Sequence, residues 1–417
     1  MIKNFSCQNY RNIHVQGVEF SRINLLIGPN NSGKSNFIKA VSFASDMLMN
    51  AERGNLNSAF MNSISRNGWN HILYNQAKDS AVSMVWDVDL KDKSLRYSFS
   101  FVPGDTVENC SILLEELNSL DKNNRYENPF NFFRCHSPKV GKGTFSAAVK
   151  TGKKNKRLSF DIDSKETIIK QFKDILLGDK GIYGSEMIRV DIATLLYELE
   201  TYFKGFSVHA SPRFNSALIR EPVNSRSIDS LLASDGRNFV NVFNNCKARD
   251  PQWKLLFEEK MKELIPSLKS VDTSVVYDKL IFQMIFDSAA YDLSDVSEGT
   301  IKGLLLNLLI NPPAGANSSL LAIDEPESNL HPAWQKVVGN WLQTSEQYTQ
   351  CFISTHSPDF LDAFTEEFKI GNVAVFVFKG GGSIKKIRFE DIVDDLGDWE
   401  LGDLYRTNDP ALGGWPW

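Results

Sequence analysis

A glycine-rich segment near the start of the chain carries the residue types that bind phosphate groups. It runs from Gly28 to Ser35 and fits the pattern G-x-x-x-x-G-K-[ST]. Gly28 and Gly33 let the backbone curl so that its N–H groups face phosphates, and the helix that follows offers its positive N-terminus. Lys34 places a charge at the β- and γ-phosphates, and the Ser35 hydroxyl is a ligand for Mg²⁺. Because the segment lies between an apolar strand and a helical pattern, we interpret it as a phosphate loop rather than a chance match.

Two carboxylates and a histidine follow apolar runs later in the chain. Asp324 and Glu325 come directly after Leu320 to Ile323. In nucleotide hydrolases the first acid at such a strand end holds Mg²⁺, and Glu325 is placed to orient the attacking water. His356 follows the run Gln350 to Ser354, from where it can reach the γ-phosphate. Taken alone these are typical of a solvated strand end and a structural histidine, but together with the phosphate loop they favour catalysis.

A serine and a glycine precede the most apolar helical pattern of the chain. Ser297 and Gly299 lie just before Ile301 to Ile310. Helix N-termini bind anions, so both residues are candidates for a second phosphate contact. The same pattern is equally typical of an N-cap followed by a core helix, and both interpretations stay open.

The elements that must position these residues alternate between strands and helices. Ile23 to Ile27 is nearly continuously apolar, which is typical of a strand buried on both faces, and a helical pattern runs from Lys34 to Met47. Two more buried strands, Ser319 to Ile323 and Gln350 to Ser354, are joined by a helix over 332–345. This order predicts a βαβ unit.

Between these blocks the pattern changes. Residues 80 to 113 alternate as antiparallel strands do. Helical patterns then return near 164–176, 188–203, 236–248 and 251–264. We therefore predict one core built from residues 1–114 and 276–417, with an inserted lobe over 115–275.

Composition excludes several classes of protein. A net charge of -5 and a pI near 5.8 exclude a uniformly basic nucleic-acid coat. The five cysteines are scattered without zinc-like spacing, which argues against a disulfide framework and a structural zinc site. The start lacks the apolar core of a signal peptide, and no apolar run has the length of a membrane span. We expect a soluble, cytoplasmic protein.

One segment departs from the acidic balance. Between Lys139 and Arg157 the chain has no acidic residue and seven basic ones, namely Lys139, Lys142, Lys150, Lys153, Lys154, Lys156 and Arg157. A solvated hairpin tip is the interpretation we favour, and a nucleic-acid contact is the alternative.

The order of the motifs resembles that of ABC-type ATPases of the SMC and RecF kind. Within that group, Asp324 to Pro332 and Ser354 to Ser357 are similar to the ATPase modules of OLD-family proteins and of anti-phage systems such as Septu, PARIS and retron-linked ones. Asn9 to Asn12 and Asp235 to Asn238 fit the same group. The resemblance implies an α/β fold: an ABC-type P-loop ATPase head, with a mixed sheet and an antiparallel β part, that carries an inserted α+β lobe.

The resemblance also implies roles for individual residues. In such ATPases two heads dimerise around two ATP molecules, so Ser297 and Gly299 would act on the partner's nucleotide and Asn329 would lie in a loop that crosses the interface. Glu325 would be the general base and His356 the γ-phosphate sensor, with Lys34 as the third catalytic residue. The nucleotide-binding residues so implied are Arg11, Asn12, Gly28, Asn30, Asn31, Ser32, Gly33, Lys34, Ser35, Asn36, Ser297, Gly299 and Asn329. The Mg²⁺ ligands would be Ser35, Asp324 and Gln76.

Two positions depart from the family pattern. The signature Val296 to Thr300 reads V-S-E-G-T, where transporters have L-S-G-G-Q. Gln76 is the nearest candidate for the Mg²⁺-sensing glutamine after the first helix, and coupling between Mg²⁺ and the inserted lobe depends on it.

The resulting functional hypothesis is hydrolysis of ATP to ADP and phosphate with Mg²⁺, used as a dimerising conformational switch. The role we favour is the sensor or regulator subunit of an anti-phage defence system whose effector, a nuclease-like protein, is a separate chain. We expect no Toprim nuclease of the OLD kind in this sequence, because we find neither the length after the core nor the residues for one, and we find no long heptad runs of SMC type. The alternatives are a RecF-like DNA-maintenance ATPase and an ATP-gated scaffold with little turnover.

Overall fold

The computed structural model describes residues 1–49, 58–68, 71–73, 81–121, 131–139, 142–151, 154–177, 190–209, 214–227, 229, 231–233, 235–313, 318–379 and 382–413. The strands in these ranges are β1 (Ile2–Tyr10), β2 (Ile13–Glu19), β3 (Ile23–Ile27), β4 (Val82–Leu90), β5 (Lys93–Val102), β6 (Ser111–Ser119), β7 (Asn131–Lys139), β8 (Lys142–Thr151), β9 (Lys154–Ile162), β10 (Phe206–His209), β11 (Val223–Asn224), β12 (Ser270–Val276), β13 (Lys279–Ile285), β14 (Ala290–Asp292), β15 (Leu320–Asp324), β16 (Gln350–Ser354), β17 (Val373–Phe378) and β18 (Ile384–Ile387).

The α-helices in the same ranges are α1 (Lys34–Val41), α2 (Phe43–Met49), α3 (Ala59–Arg66), α4 (Ile168–Leu177), α5 (Val190–Lys204), α6 (Ser216–Arg220), α7 (Phe239–Arg249), α8 (Pro251–Leu264), α9 (Glu298–Ile310), α10 (Pro332–Thr344), α11 (Pro358–Asp362), α12 (Thr365–Lys369), α13 (Val393–Leu396) and α14 (Leu401–Arg406). Within the described ranges, no helix combines the length and the apolar character that crossing a membrane requires.

The first of two compact units comprises Met1–Ser21, Pro29–Phe206 and Phe378–Lys386. Its main element is an antiparallel sheet in the order β2-β1-β4-β5-β6-β7-β8-β9. Burial alternates along β4, so one face of the sheet points into a core. Trp86 lies in that core 5.7 Å from Tyr97 between ring centroids, and its indole N–H donates to the Val41 carbonyl at the end of α1. The antiparallel sheet therefore supports the helix that follows the phosphate loop.

The second unit comprises Arg22–Gly28, Ser207–Val377 and Ile387–Trp417. Its centre is four parallel strands in the order β15-β16-β3-β17. Every residue of these four strands that lies in the unit is buried, as expected of strands covered on both faces. Because they are parallel, β3, β15 and β16 end at the same edge, at Ile27, Asp324 and Ser354.

A smaller antiparallel sheet and a buried helix complete this unit. β11, β13 and β12 are neighbours in that order, and β14 pairs with β13. The helix α9 is buried from Thr300 to Ile310. α10 connects β15 to the parallel strand β16, which confirms the predicted βαβ unit.

The fold class predicted from the sequence is confirmed: an α/β fold with parallel core strands and an antiparallel part. The helices predicted near 164–176, 188–203, 236–248 and 251–264 are α4, α5, α7 and α8. One helix was predicted too long, because the pattern from Lys34 to Met47 is divided at Ser42. The Ser42 hydroxyl donates to the Ile38 carbonyl. Such a bond from a serine side chain to a nearby backbone carbonyl competes with the hydrogen bonds that would continue the helix.

The predicted domain boundaries do not coincide with the compact units. The boundary at 114/115 falls inside β6, and that at 275/276 falls inside β12. The strands β6 to β9 continue the sheet that begins with β1 and β2. The three-part division therefore stays a prediction.

Candidate nucleotide-binding site

The phosphate loop begins where β3 ends. Gly28 follows the last residue of β3, and α1 begins at Lys34. Gly33 has a φ of 111°, and a Cβ atom there would lie 2.8 Å from Nδ2 of Asn12. Only glycine accepts both this backbone conformation and this close approach. The second glycine of the motif is therefore required by the geometry of the loop.

Two side chains of the loop are buried. Lys34 is buried and its ammonium group donates to the Pro29 carbonyl at 2.9 Å. The hydroxyl of Ser32 is buried and has no hydrogen-bond partner among the residues that the structure describes. A buried cation at a helix N-terminus, beside an unsatisfied buried hydroxyl, is a donor set that fits a phosphate group.

The remaining loop residues differ in exposure. Asn30 and Asn31 are exposed, and Asn31 has a φ of 60°. Ser35 is partly buried in the first turn of α1. This is the position from which a serine hydroxyl in such a loop ligates Mg²⁺.

Three polar residues form a chain of hydrogen bonds beside the loop. Arg11 donates through Nη1 to Oδ1 of Asn36 at 2.9 Å, and Asn36 donates through Nδ2 to Oδ1 of Asn12 at 2.7 Å. The second guanidinium nitrogen of Arg11 donates to the Asn67 carbonyl. The structure thus brings together Arg11, Asn12 and Asn36, which were predicted from distant points in the sequence.

In the second unit, the ends of β15 and β16 are joined by hydrogen bonds. We call Asp324, Glu325, Glu327 and residues 354–356 the acidic edge. Asp324 is buried and accepts a hydrogen bond from the Ser354 hydroxyl. The N–H of Glu325 donates to the Ser354 carbonyl at 3.0 Å. Both bonds follow from the register, which places Asp324 opposite Ser354.

Glu325 has a left-handed backbone conformation, with a φ of 52°. Its carboxylate is 48% exposed, and Oε1 lies 3.6 Å from Nε2 of His356. A non-glycine residue in this conformation is uncommon and marks a position where the surrounding structure imposes the geometry. The structure therefore brings together the predicted general base and the predicted γ-phosphate sensor.

Glu327 is a residue that the sequence analysis missed. Its buried Oε1 accepts from the Thr355 hydroxyl at 2.7 Å and from the His356 N–H at 2.9 Å. Burial raises the pKa of this carboxyl, and the hydrogen bonds from His356 and Thr355 oppose the rise. The available signal was a third acid, Glu327, three residues after the end of β15 and close to the Asp324-Glu325 pair.

The signature residues lie at the N-terminus of α9. The Ser297 hydroxyl accepts from the Thr300 N–H at 3.2 Å and caps the helix. A Cβ at Gly299 would lie 3.1 Å from the Asn329 carbonyl. Asn329 is exposed in the left-handed conformation. Within one chain the structure thus brings Gly299 and Asn329 together. An N-cap before a core helix and a phosphate contact both fit this geometry.

Arg220 is a second residue that the sequence analysis missed. Its Nη1 lies within 3.0 Å of the carbonyl oxygens of Leu293, Ser294 and Val296. It thereby holds the segment that leads to Ser297. No local motif predicts this role for an arginine that lies 77 positions before Ser297 in the sequence. Only the folded chain brings α6 beside the segment that leads to Ser297.

A family model matches residues 23–362, most of the chain, and its description reads "AAA domain, putative AbiEii toxin, Type IV TA system". The chain belongs to this AAA family. The matched range includes the phosphate loop, the signature and the acidic edge. Membership supports nucleotide binding and places the chain among ATPases; it assigns neither a substrate beyond the nucleotide nor a partner.

The AAA chain is also similar, at low identity, to three solved SMC heads. An SMC head bound to the C-winged helix domain of ScpA is 13% identical, with 94% of this chain and 99% of that chain covered and a TM-score of 0.49. The SMC head from Thermotoga maritima is 13% identical, with 93% and 98% covered and a TM-score of 0.38. An SMC head with an extended coiled coil, bound to the C-terminal domain of ScpA derived from Pyrococcus furiosus, is 11% identical, with 95% and 98% covered and a TM-score of 0.45. No curated protein matches the chain.

Two of the three predicted Mg²⁺ ligands, Ser35 and Asp324, lie in the described part of the chain. Within the described residues, no three His, Cys, Asp or Glu side chains are grouped to hold a metal. Mg²⁺ is bound by one or two side-chain oxygens together with waters and phosphate oxygens, so Ser35 and Asp324 fit this chemistry. Gln76 lies outside the described residues.

The predicted basic segment lies on β7, β8 and β9. These strands belong to the antiparallel sheet of the first unit. The side chains from Lys139 to Arg157 lie outside the described part of the structure. A nucleic-acid contact there stays a prediction.

Proposed function

We propose that this AAA chain hydrolyses ATP to ADP and phosphate with Mg²⁺. The observation that carries the proposal is the acidic edge, where the Glu325 carboxylate lies 3.6 Å from His356 Nε2. This pair follows β15 and β16, and the phosphate loop follows β3, which ends at the same edge of the sheet. In open α/β sheets ligands bind outside the carboxyl ends of the strands.

Each residue has a role in the proposed reaction. The backbone N–H groups of the phosphate loop and Lys34 bind the β- and γ-phosphates. Ser35 and Asp324 would hold Mg²⁺, which would supply positive charge beside the transferred phosphoryl group. Glu325 orients and deprotonates the attacking water, and His356 contacts the γ-phosphate. Arg11, Asn12 and Asn36 position the nucleotide from beside the loop.

We further propose that ATP binding drives dimerisation. Ser297, Gly299 and Asn329 would contact the nucleotide of a second copy, so each ATP would be shared by two subunits. ATP then favours the closed dimer, and hydrolysis releases it, which is a shift of population between two states.

We propose that this switch controls a separate effector protein in a defence system. The family description supports the involvement of a second protein, because it names a toxin of a toxin–antitoxin pair.

The enzymatic proposal is tested by turnover of ATP in the wild type and in Glu325→Gln. Glu346→Gln, a change of the same kind at an exposed position, is the control. We expect Glu325→Gln to lower kcat at least a hundredfold, with ATP still bound, because the base is lost and the binding groups remain. Equal rates in the wild type and Glu325→Gln would contradict the proposal.

The switch is tested by measuring molar mass by light scattering with and without ATP. Glu325→Gln should accumulate as a dimer with ATP and Mg²⁺, because it binds without turnover. Ser297→Arg should stay monomeric, because a large cation replaces the proposed contact. A monomer in every sample would contradict dimerisation, although it would leave the hydrolysis proposal standing.

A further inference from the structure

The helix α9 carries one charged residue in its buried part. Ile301 to Ile310 is otherwise apolar or uncharged, and Lys302 in this run is only 7% exposed. Burying an ammonium group costs several kcal/mol unless it is paired. A lysine at such a position therefore needs a reason beyond packing, since leucine or methionine would fill the same space.

The contacts of Lys302 lead to the turn that follows β15. Its Nζ donates to the hydroxyl of Ser328 at 2.6 Å and to the carbonyl of Glu325 at 3.3 Å. The Ser328 hydroxyl in turn donates to the same Glu325 carbonyl at 3.0 Å. The Ser328 N–H also donates to this carbonyl at 3.2 Å, so three hydrogen-bond donors, one from α9 and two from the turn, meet on one oxygen.

That carbonyl belongs to the residue with the strained backbone. Glu325 has a φ of 52°, and its N–H is fixed from the other side by Ser354. A left-handed conformation costs a non-glycine residue about 1–2 kcal/mol and persists only where neighbouring groups impose it. Ser354 holds one peptide group of Glu325, and Lys302 with Ser328 holds the other.

We infer that Lys302 is a positioning residue that links the signature helix α9 to Glu325 and holds Glu325 in the conformation that directs its carboxylate to His356. The inference rests on the proposed ATPase function. It gives the signature a connection to the base of the same chain, since Lys302 lies about one turn after Ser297 and Gly299.

The charge state of Lys302 supports a role that varies with pH. Burial lowers its pKa to about 8, and the charges of Glu327 and Glu325 oppose this fall. Among the described groups, these two carboxylates are the charges that act on it. A protonated amine donates to both acceptors. Above this pKa the neutral amine loses the charge that makes those bonds strong.

The first test compares ATP turnover in four proteins: the wild type, Lys302→Met, Lys302→Arg and the control Lys262→Met, which changes an exposed lysine on α8. We expect Lys302→Met to lower kcat roughly tenfold with KM for ATP unchanged, because the base is misplaced while the binding groups are intact. Lys302→Arg should recover part of the loss, and Lys262→Met should match the wild type.

The pH profile separates positioning from simple packing. Wild-type kcat should fall as the pH rises through about 8, and Lys302→Arg should move this fall to higher pH, because arginine stays protonated. An unchanged alkaline limb in Lys302→Arg, or a wild-type rate in Lys302→Met, overturns the inference.

A second measurement does not depend on turnover. Hydrogen exchange of the amides in 325–330 should be faster in Lys302→Met and, to a smaller extent, in Ser328→Ala, which keeps the buried charge. Unchanged exchange in both variants overturns the inference. A wild type without ATPase activity contradicts the proposed function alone, since the exchange result still decides whether Lys302 holds the turn.

Discussion

The phosphate loop and the acidic edge hold their polar groups in different ways. In the phosphate loop, the Lys34 ammonium bonds to Pro29 five residues away, and the buried Ser32 hydroxyl has no partner within the described ranges. At the acidic edge, by contrast, Asp324 bonds to the last residue of β16 and Glu327 bonds to the residue after it, about thirty positions later in the chain. The bond from Lys34 to Pro29 is local, whereas the bonds of the two carboxylates join distant segments.

This difference predicts different functions for the phosphate loop and the acidic edge. A local bond such as that from Lys34 to Pro29 can be exchanged for a contact to a phosphate at little cost to the rest of the fold. A set of carboxylates fixed between two strand ends keeps its geometry before the ligand arrives, which is what electrostatic preorganisation requires. Substitutions in the loop should therefore change binding, and substitutions at the edge should change turnover or stability.

The largest expected effect is on nucleotide binding. Lys34→Ala should weaken ATP binding by two to three orders of magnitude (about 3–4 kcal/mol), because it removes the cation that meets the β- and γ-phosphates. It should leave the unfolding temperature near that of the wild type. Calorimetric titration with ATP and thermal unfolding measure both quantities. The exposed Lys385→Ala is the matched control, and unchanged affinity in Lys34→Ala would remove the phosphate loop from the proposal.

The next effect contrasts stability with binding at the acidic edge. Glu327→Ala leaves the Thr355 hydroxyl and the His356 N–H without their acceptor, which should cost about 2–3 kcal/mol of unfolding free energy. It should also lower kcat about tenfold, because His356 loses its anchor, with ATP affinity nearly unchanged. Urea unfolding and steady-state kinetics test this. If Glu327→Ala unfolds like the wild type but binds ATP weakly, the expected difference between the phosphate loop and the acidic edge is contradicted.

A smaller effect is expected beside the phosphate loop. Arg11→Ala removes the bond to Asn36 and should raise KM for ATP several-fold with kcat little changed. Arg388→Ala, at an exposed position, serves as control. If kcat falls instead and KM stays constant, Arg11 acts on the chemical step and the division between the regions is less sharp than proposed.

The smallest effect concerns pH. The folded-state pKa of Glu327 is raised by burial, so the unfolded chain loses this proton at a lower pH than the folded chain does. The unfolding free energy should therefore decrease as the pH rises from the unfolded value through the folded value. Glu327→Gln does not titrate and should show a weaker decrease. Urea unfolding at a series of pH values compares the two slopes, and parallel curves would contradict the assignment.

Local patterns predicted much of the fold. Runs of apolar residues located β3, β15 and β16, and helical periodicity located α4, α5, α7 and α8, since each of these signals depends on neighbours in the sequence. The sequence did not predict the break at Ser42 or the continuation of the first sheet through β6 to β9. The break depends on a hydrogen bond of the Ser42 side chain, and the continuation of the sheet depends on which strands pair. The periodicity of apolar residues reports neither of them.

The candidate site likewise contains residues that local patterns predict and contacts that only the folded structure shows. The amino-acid sequence by itself identified the phosphate loop, the Asp324-Glu325 pair, His356 and the signature as candidates, because residue type and spacing at the ends of strands and helices predict their chemistry. Only the tertiary structure decided that Glu327 anchors His356, that Arg220 holds the signature segment and that Lys302 reaches the Glu325 carbonyl. Those contacts join segments from 23 to 76 residues apart, and such contacts exist only once the chain has folded.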